Sequence, residues 1–125
     1  MAVELNHTIV TARDKNMAAA WFAEMMGLPP PEPFGPFMGV QLAHGLTFDF
    51  ASTEEIKPEH YAFLVSEDEF DQIYGRIRER AVPHWADPSQ SRPNQINTND
   101  GGRGVYFTDP DGHFLEIITR PYGSG

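Results

Sequence analysis

The order of predicted elements repeats within this chain, and the repeat limits the possible folds more than any other feature. Residues 4–52 and residues 59–120 each follow the order strand, helix, hairpin. An internal repeat predicts two copies of one supersecondary unit. A chain of 125 residues has the usual length of one domain. We therefore expect a single α+β domain, 1–125, made of two similar modules.

The first module opens with a predicted strand and helix. Residues 4–11 are rich in β-branched side chains, as strands are. Residues 14–26 carry apolar side chains at helical spacing, which indicates an amphipathic helix. Gly27 suits the position just after a helix end. The prolines within 29–36 predict an irregular, stiff connection.

The second module opens in the same way. Residues 60–65 form an apolar run that is typical of a strand. Ser66, with a glutamate three residues later, has the pattern of a capping box and predicts a helix over 67–80. Residues 82–86 suit a short strand. The polar stretch 87–101 predicts a long loop, and loops of that length are often functional.

Each module ends in a predicted hairpin. Residues 38–43 and 46–51 flank a His-Gly pair that suits a tight turn. Residues 104–108 and 113–119 flank the sequence Asp-Pro-Asp-Gly, which is a strong turn pattern. We expect the residues after Arg120 to form a frayed tail.

Four potential metal ligands lie at equivalent places in the repeat. His7 and His60 are in the first strand of their modules. Asp49 and Glu116 are in the last strand, and each follows the glycine of its hairpin turn at the same spacing. Two histidines with one or two carboxylates form a mixed nitrogen and oxygen set that suits Fe, Mn, Co, Ni or Zn and leaves positions open for a substrate or dioxygen.

Glu116 carries the strongest argument, because it lies in the apolar run Phe-Leu-Glu-Ile-Ile. Burying a lone carboxylate is costly, so Glu116 needs a metal or a partner charge. Arg103 is the alternative partner: if residues 108 and 113 pair across the turn, Arg103 faces the same side as Glu116.

The other histidines are weaker candidates as ligands. His44 and His113 lie beside predicted turns and are expected to be exposed, and His84 lies near the start of the long loop.

Composition excludes several classes of function. The net charge of −9 argues against nucleic-acid binding, because an acidic surface repels phosphate. The chain has no cysteine, so it has neither disulfides nor thiolate ligands. No apolar run is long enough to span a bilayer, and no signal peptide is evident. A cytoplasmic location fits these observations.

Several segments resemble the vicinal oxygen chelate superfamily, which includes glyoxalase I, extradiol dioxygenases, fosfomycin-resistance thiol transferases and bleomycin-binding proteins. The most specific segment is 105–116, Val-Tyr-Phe-Thr-Asp-Pro-Asp-Gly-His-Phe-Leu-Glu. Residues 5–10, 21–28 and 60–63 carry the rest of the resemblance. It extends over residues 4–120.

The resemblance implies two βαβββ modules that form a half-open, cup-shaped barrel around a divalent metal. His7, His60 and Glu116 match the metal ligands of the family, and Asp49 falls at the fourth ligand position. The metal would polarise adjacent oxygens of a small substrate. Members of the family commonly form homodimers, sometimes with sites completed by a second chain.

Two functions follow from the resemblance. The first is a metal-dependent enzyme for a small oxygenated metabolite or xenobiotic, either a glyoxalase-like lyase or isomerase or an extradiol-dioxygenase-like enzyme, with Glu116 as ligand and Asp49 as ligand or general base. The second is a non-catalytic protein that binds a drug or metabolite and confers resistance.

A further set of residues is predicted to bind the substrate. Arg103 would hold an anionic group, and Asn99 would act from the 87–101 loop if that loop closes over the cup. Phe48, Tyr61 and Trp85 are candidates for cavity walls, with core packing as the alternative.

Overall fold

The computed structural model describes residues 3–124 and divides the chain into two compact units, Met1–Lys57 and Pro58–Gly125. The boundary falls between the two predicted modules. Each unit contains one α-helix and one four-stranded mixed sheet, which confirms the α+β fold with two βαβββ modules. Within residues 3–124, neither helix is long and apolar enough to cross a membrane.

Unit 1 is a sheet with one helix packed on it. Its elements are β1 (His7–Ala12), α1 (Lys15–Met26), β2 (Glu32–Phe34), β3 (Phe37–Gln41) and β4 (Thr47–Ser52). The strand order is β1-β4-β3-β2, with β1 parallel to β4 and the other neighbours antiparallel. The strand that opens the module therefore lies at an edge, beside the strand that ends it.

Helix α1 begins and ends where the sequence predicts. The Asp14 side chain accepts hydrogen bonds from two backbone N–H groups of the first turn. Gly27 ends the helix in the left-handed conformation, with φ of 69°. Phe22 stacks on Phe48 of β4 with ring centroids 5.2 Å apart, so the helix packs on one face of the sheet and leaves the other face for a site.

Unit 2 repeats this arrangement. Its elements are β5 (His60–Leu64), α2 (Glu67–Glu79), β6 (His84–Trp85), β7 (Gly104–Thr108) and β8 (Phe114–Ile118). The strand order is β5-β8-β7-β6, and β5 is parallel to β8. The predicted capping box is present between Ser66 and Glu69. The buried face of α2 consists of Phe70, Ile73 and Ile77.

Two details of unit 1 differ from the sequence prediction. Residues 29–36 are not wholly irregular, because Glu32–Phe34 forms β2. Pro33 is tolerated there because an edge strand needs ladder hydrogen bonds on one side only. The β3–β4 turn is also longer than a tight turn: it is closed by the N–H of Leu42, which donates to the carbonyl of Leu46 at 2.8 Å.

The register of the β7–β8 hairpin also differs from the one considered for Arg103. Thr108 pairs with Phe114 rather than with residue 113, so Tyr106 is the residue opposite Glu116. A shift of one residue moves every side chain of a strand to the other face. Arg103 therefore lies on the helix side of the sheet, and its predicted proximity to Glu116 is wrong.

Arg103 instead joins the sheet to α2. Its guanidinium donates to Glu67 and to Asp71, both at 2.8 Å. It also lies over the ring of Phe70, 4.4 Å from the centroid. A contact between Arg103 and an anionic substrate would have to compete with both carboxylates, so this position does not support its predicted role in substrate binding.

Two further expectations are corrected in unit 2. His113 is buried rather than exposed, with 1% of its surface accessible, and its Nδ1 accepts the backbone N–H of Glu59 at 3.0 Å. The tail after Arg120 is not frayed over its described part: the N–H of Gly123 donates to Asp100, and Arg120 donates to the carbonyl of Ser124.

Candidate metal and substrate site

The two units carry a histidine and an acid in the same register. In unit 1, His7 pairs with the residue of β4 that lies two positions before Asp49. In unit 2, His60 pairs with the residue of β8 that lies two positions before Glu116. Side chains two residues apart on a strand share a face. Each unit therefore presents one imidazole and one carboxylate on the sheet face that its helix does not cover.

His60 and Glu116 are in contact. The Nε2 atom of His60 is 3.2 Å from Oε1 of Glu116. The Nδ1 atom of His60 is 2.9 Å from the carbonyl oxygen of Phe114, and a carbonyl can only accept, so Nδ1 carries a hydrogen. The contact between Nε2 and Oε1 then needs a proton shared by the two atoms or a cation between them, since a bare lone pair would repel the carboxylate.

The same contact suits a divalent metal. Histidine ligands commonly donate their other N–H to a carbonyl, as His60 does. Ligand bonds of about 2.0–2.2 Å at a right angle separate the two donor atoms by about 3 Å. The 3.2 Å between His60 and Glu116 fits two adjacent ligands of one ion.

The ring of His7 also has a hydrogen-bond partner at Nδ1. Its Nδ1 atom is 2.7 Å from Oδ1 of Asn6, and the side chain is exposed. If Nδ1 donates to this amide oxygen, the lone pair of Nε2 is available to a ligand. Asn6 is therefore placed to orient the ring of His7, and sequence patterns did not single it out.

Glu116 is enclosed by hydroxyl groups. It is 1% exposed, and the hydroxyl of Tyr122 is 2.8 Å from its Oε2 and 3.0 Å from its Oε1. Tyr106, the residue opposite Glu116, belongs to the same network. Burial, and then the hydrogen bond with Tyr122, raises the pKa of Tyr106 well above its ordinary value, so this phenol keeps its proton. No sequence pattern pointed to Tyr122, which lies in the predicted tail.

Asp49 has the opposite surroundings. It is 3% exposed, and its Oδ1 is the one buried side-chain oxygen or nitrogen within residues 3–124 that lacks a hydrogen-bond partner. The residue opposite Asp49 on β3 is Gly39, where unit 2 has Tyr106. Because glycine supplies no phenol, the carboxylate remains without a donor. A buried acceptor of this kind requires a cation, a ligand hydroxyl or a proton.

A cavity of about 530 Å³ opens over this face of unit 1. Its lining is His7, Asp49, Asn6, Gly39, Gln41, Thr47, Glu32, Phe34 and the prolines 29, 30, 31 and 33. No lysine or arginine is among these residues, whereas two carboxylates are. The cavity therefore suits a neutral or cationic ligand with hydroxyl groups better than an anionic one.

The other predicted substrate residues have different positions. Phe48 is 3% exposed and stacked in the core, and Tyr61 is next to His60 in β5 and so lies on the opposite face. Neither position supports a contact with substrate. Trp85 pairs with Tyr106, so it shares the face of Glu116. Asn99 is exposed in a one-turn 3-10 segment, and its role stays a prediction.

The structure brings the predicted ligands together in pairs: His60 contacts Glu116, and His7 and Asp49 line the same cavity. Taken unit by unit over residues 3–124, no group of three or more His, Asp or Glu side chains is arranged to hold a metal ion. The ligand set therefore stays a prediction.

Comparison with known proteins identifies the family. Residues 4–117 match the sequence model of the Glyoxalase/Bleomycin resistance protein/Dioxygenase superfamily. Among curated proteins, the glutathione transferase FosA of Serratia marcescens is 28% identical over 126 aligned positions, which cover 94% of this chain and 81% of FosA.

Two solved structures are much more similar. Oxidase ChaP-H1 is 60% identical, with a TM-score of 0.95 over 98% of this chain and 99% of that protein. Oxidase ChaP-H2 is 56% identical, with a TM-score of 0.96 over 100% of this chain and 99% of that protein.

Proposed function

Since the chain belongs to the Glyoxalase/Bleomycin resistance protein/Dioxygenase superfamily, we propose that it is a metal-dependent oxidase of a small, hydroxylated organic molecule. His7, His60 and Glu116 would hold the divalent metal. Asp49 would serve as a fourth ligand or as the general base. The metal would supply Lewis acidity and, if it is redox-active, a centre for electron transfer to dioxygen.

The metal part of the proposal depends on the contact between His60 and Glu116. This contact needs a proton or a cation between Nε2 and Oε1, and its 3.2 Å length fits two ligands of one ion. The unpartnered Oδ1 of Asp49 also requires a donor or a cation. The nitrogen and oxygen donors suit iron, manganese, cobalt, nickel or zinc.

The choice of an oxidase depends on the comparison with ChaP-H1. That protein is named an oxidase and is 60% identical to this chain over nearly the whole of both lengths. FosA, named a glutathione transferase, is 28% identical. We therefore favour oxygen-dependent chemistry over the lyase, isomerase and thiol-transfer reactions of other members.

The cavity over unit 1 supports the same choice. Glutathione carries a net negative charge at neutral pH, and the cavity lining has two carboxylates but no lysine or arginine. A substrate hydroxyl could instead donate to Oδ1 of Asp49, which has no other donor. In that position Asp49 can accept the proton of the hydroxyl as the substrate is oxidised.

Anaerobic reconstitution tests the proposal. The protein is stripped of metal, loaded separately with Fe(II), Mn(II), Co(II), Ni(II) or Zn(II), and assayed with a panel of aromatic vicinal diols and 2-hydroxyketones. We expect about one metal per site and oxygen uptake that requires both substrate and a redox-active metal. His7→Ala and Glu116→Ala should lose metal and activity, whereas the exposed His44→Ala should retain both.

The outcomes separate the alternatives sharply. Turnover with zinc or nickel and no oxygen uptake would contradict an oxidase and favour a lyase or isomerase. Ligand binding with no metal in wild type or variants would contradict a metal enzyme and favour a non-catalytic binding protein.

A further inference from the structure

The C-terminal tail brings a phenol to the proposed metal ligand of unit 2. The hydroxyl of Tyr122 lies within 3.0 Å of both oxygens of Glu116. Two hydrogen bonds hold the backbone around Tyr122: Gly123 donates to Asp100 at 3.2 Å, and Arg120 donates to the carbonyl of Ser124 at 3.0 Å. The phenol is thus held over the carboxylate by the surrounding loop.

The two oxygens of Glu116 have different neighbours. Oε1 is 3.2 Å from Nε2 of His60 and 3.0 Å from the phenol oxygen of Tyr122. Oε2 has the shorter contact with the phenol, at 2.8 Å. A phenol has a single proton, so it can donate fully to one oxygen only. If the proton is directed at Oε2, Oε1 is left to bind a cation beside His60.

We propose that Tyr122 is a positioning residue of the metal site, which holds Oε2 of Glu116 so that Oε1 is presented beside His60 as a single-oxygen ligand. The inference rests on the proposed function, because it assumes that His60 and Glu116 bind a metal. Hydrogen bonds to a ligating carboxylate orient it and contribute to metal affinity.

The hydroxyl of Tyr122 reaches Glu116 from the tail, across the sheet face that Tyr106 shares with Glu116. Unit 1 has no counterpart of this contact. Gly39 lies opposite Asp49, and Oδ1 of Asp49 has no hydrogen-bond partner.

The test removes one oxygen atom from the tail. Tyr122→Phe keeps the ring and deletes the donor, and Tyr74→Phe on helix α2 is the matched control for loss of a phenol hydroxyl. Affinity for Co(II) is measured by competition with a coloured chelator, and the visible spectrum of the bound Co(II) reports the ligand geometry. Circular dichroism and thermal unfolding check that both variants fold.

We expect Tyr122→Phe to bind Co(II) about 10- to 100-fold more weakly than wild type and to show an altered spectrum. Tyr74→Phe should match wild type in both. Wild-type affinity and spectrum in Tyr122→Phe would overturn the inference while leaving the proposed metal site intact. Tighter binding would also overturn it, since the phenol would then compete with the metal. Failure of wild type itself to bind Co(II) would overturn this inference together with the metal site on which it rests.

Discussion

At the scale of single residues, the two acids of the repeat differ in the hydrogen-bond donors around them. Glu116 faces Tyr106 and is surrounded by hydroxyl groups, whereas Asp49 faces Gly39 and has a buried oxygen without a partner. Both acids are almost inaccessible to solvent. Glu116 is therefore satisfied by the protein, and Asp49 depends on a proton or on something that binds.

Replacement of Asp49 by Asn tests this difference. Removing a buried charge that lacks a donor should leave the free energy of unfolding of the metal-free protein unchanged or raise it by about 1 kcal/mol. Oxygen uptake by the reconstituted enzyme should fall strongly. Urea unfolding of metal-free wild type and Asp49→Asn measures the first effect. A loss of stability well beyond 1 kcal/mol would show that the carboxylate has partners.

At the scale of elements, α2 is held to its sheet by charge as well as by apolar packing. Arg103 follows the 87–101 loop and donates to two acids of the first turns of α2, Glu67 and Asp71. The hydrogen bond from Thr119 and the charge and hydrogen bond of Arg103 lower the pKa of Glu67 below 4.5. This arrangement holds Arg103 on the helix side of the sheet, away from Glu116.

This contact predicts a specific dependence of stability on pH. A carboxylate whose pKa is lowered on folding binds protons less readily in the folded state, so it stabilises the protein above its unfolded pKa and loses that effect as pH falls through the folded value. The stability difference between wild type and Glu67→Gln should be largest above pH 4.5 and shrink towards zero under more acidic conditions. Urea titrations at several pH values measure it, and a difference that does not change with pH would contradict the contact.

At the scale of the whole molecule, the predicted metal ligands are distributed over both units. Each unit contributes one histidine and one acid, and each is compact by itself. Exposed apolar side chains lie on the same strands, with Ile9 of β1 51% exposed and Leu64 of β5 61% exposed. Such side chains are available for contact with a second copy. These exposed side chains support the predicted homodimer, which stays a prediction.

Metal should therefore stabilise the whole protein if it binds the folded state. At a free metal concentration of 100 times Kd, binding should add about 2.7 kcal/mol to the free energy of unfolding. Thermal or urea unfolding with Co(II), and again after EDTA, measures the effect in wild type. The His60→Ala variant should show no such gain. An equal gain in that variant would place the binding elsewhere.

The sequence by itself determined the repeat, the order of the elements other than β2, and one cap of each helix, Gly27 and Ser66. It also determined the equivalent places of His7, His60, Asp49 and Glu116. These features depend on residue type and on spacing along the chain, and both can be read directly from the sequence. Tertiary structure decided what surrounds each acid. The turn pattern did not specify the β7–β8 register to within one residue. The observed register places Tyr106 rather than Arg103 on the face of Glu116. Long-range folding brought Tyr122 onto the same carboxylate and left Asp49 beside a glycine, because contacts across strands and from a terminus have no periodic pattern in the sequence.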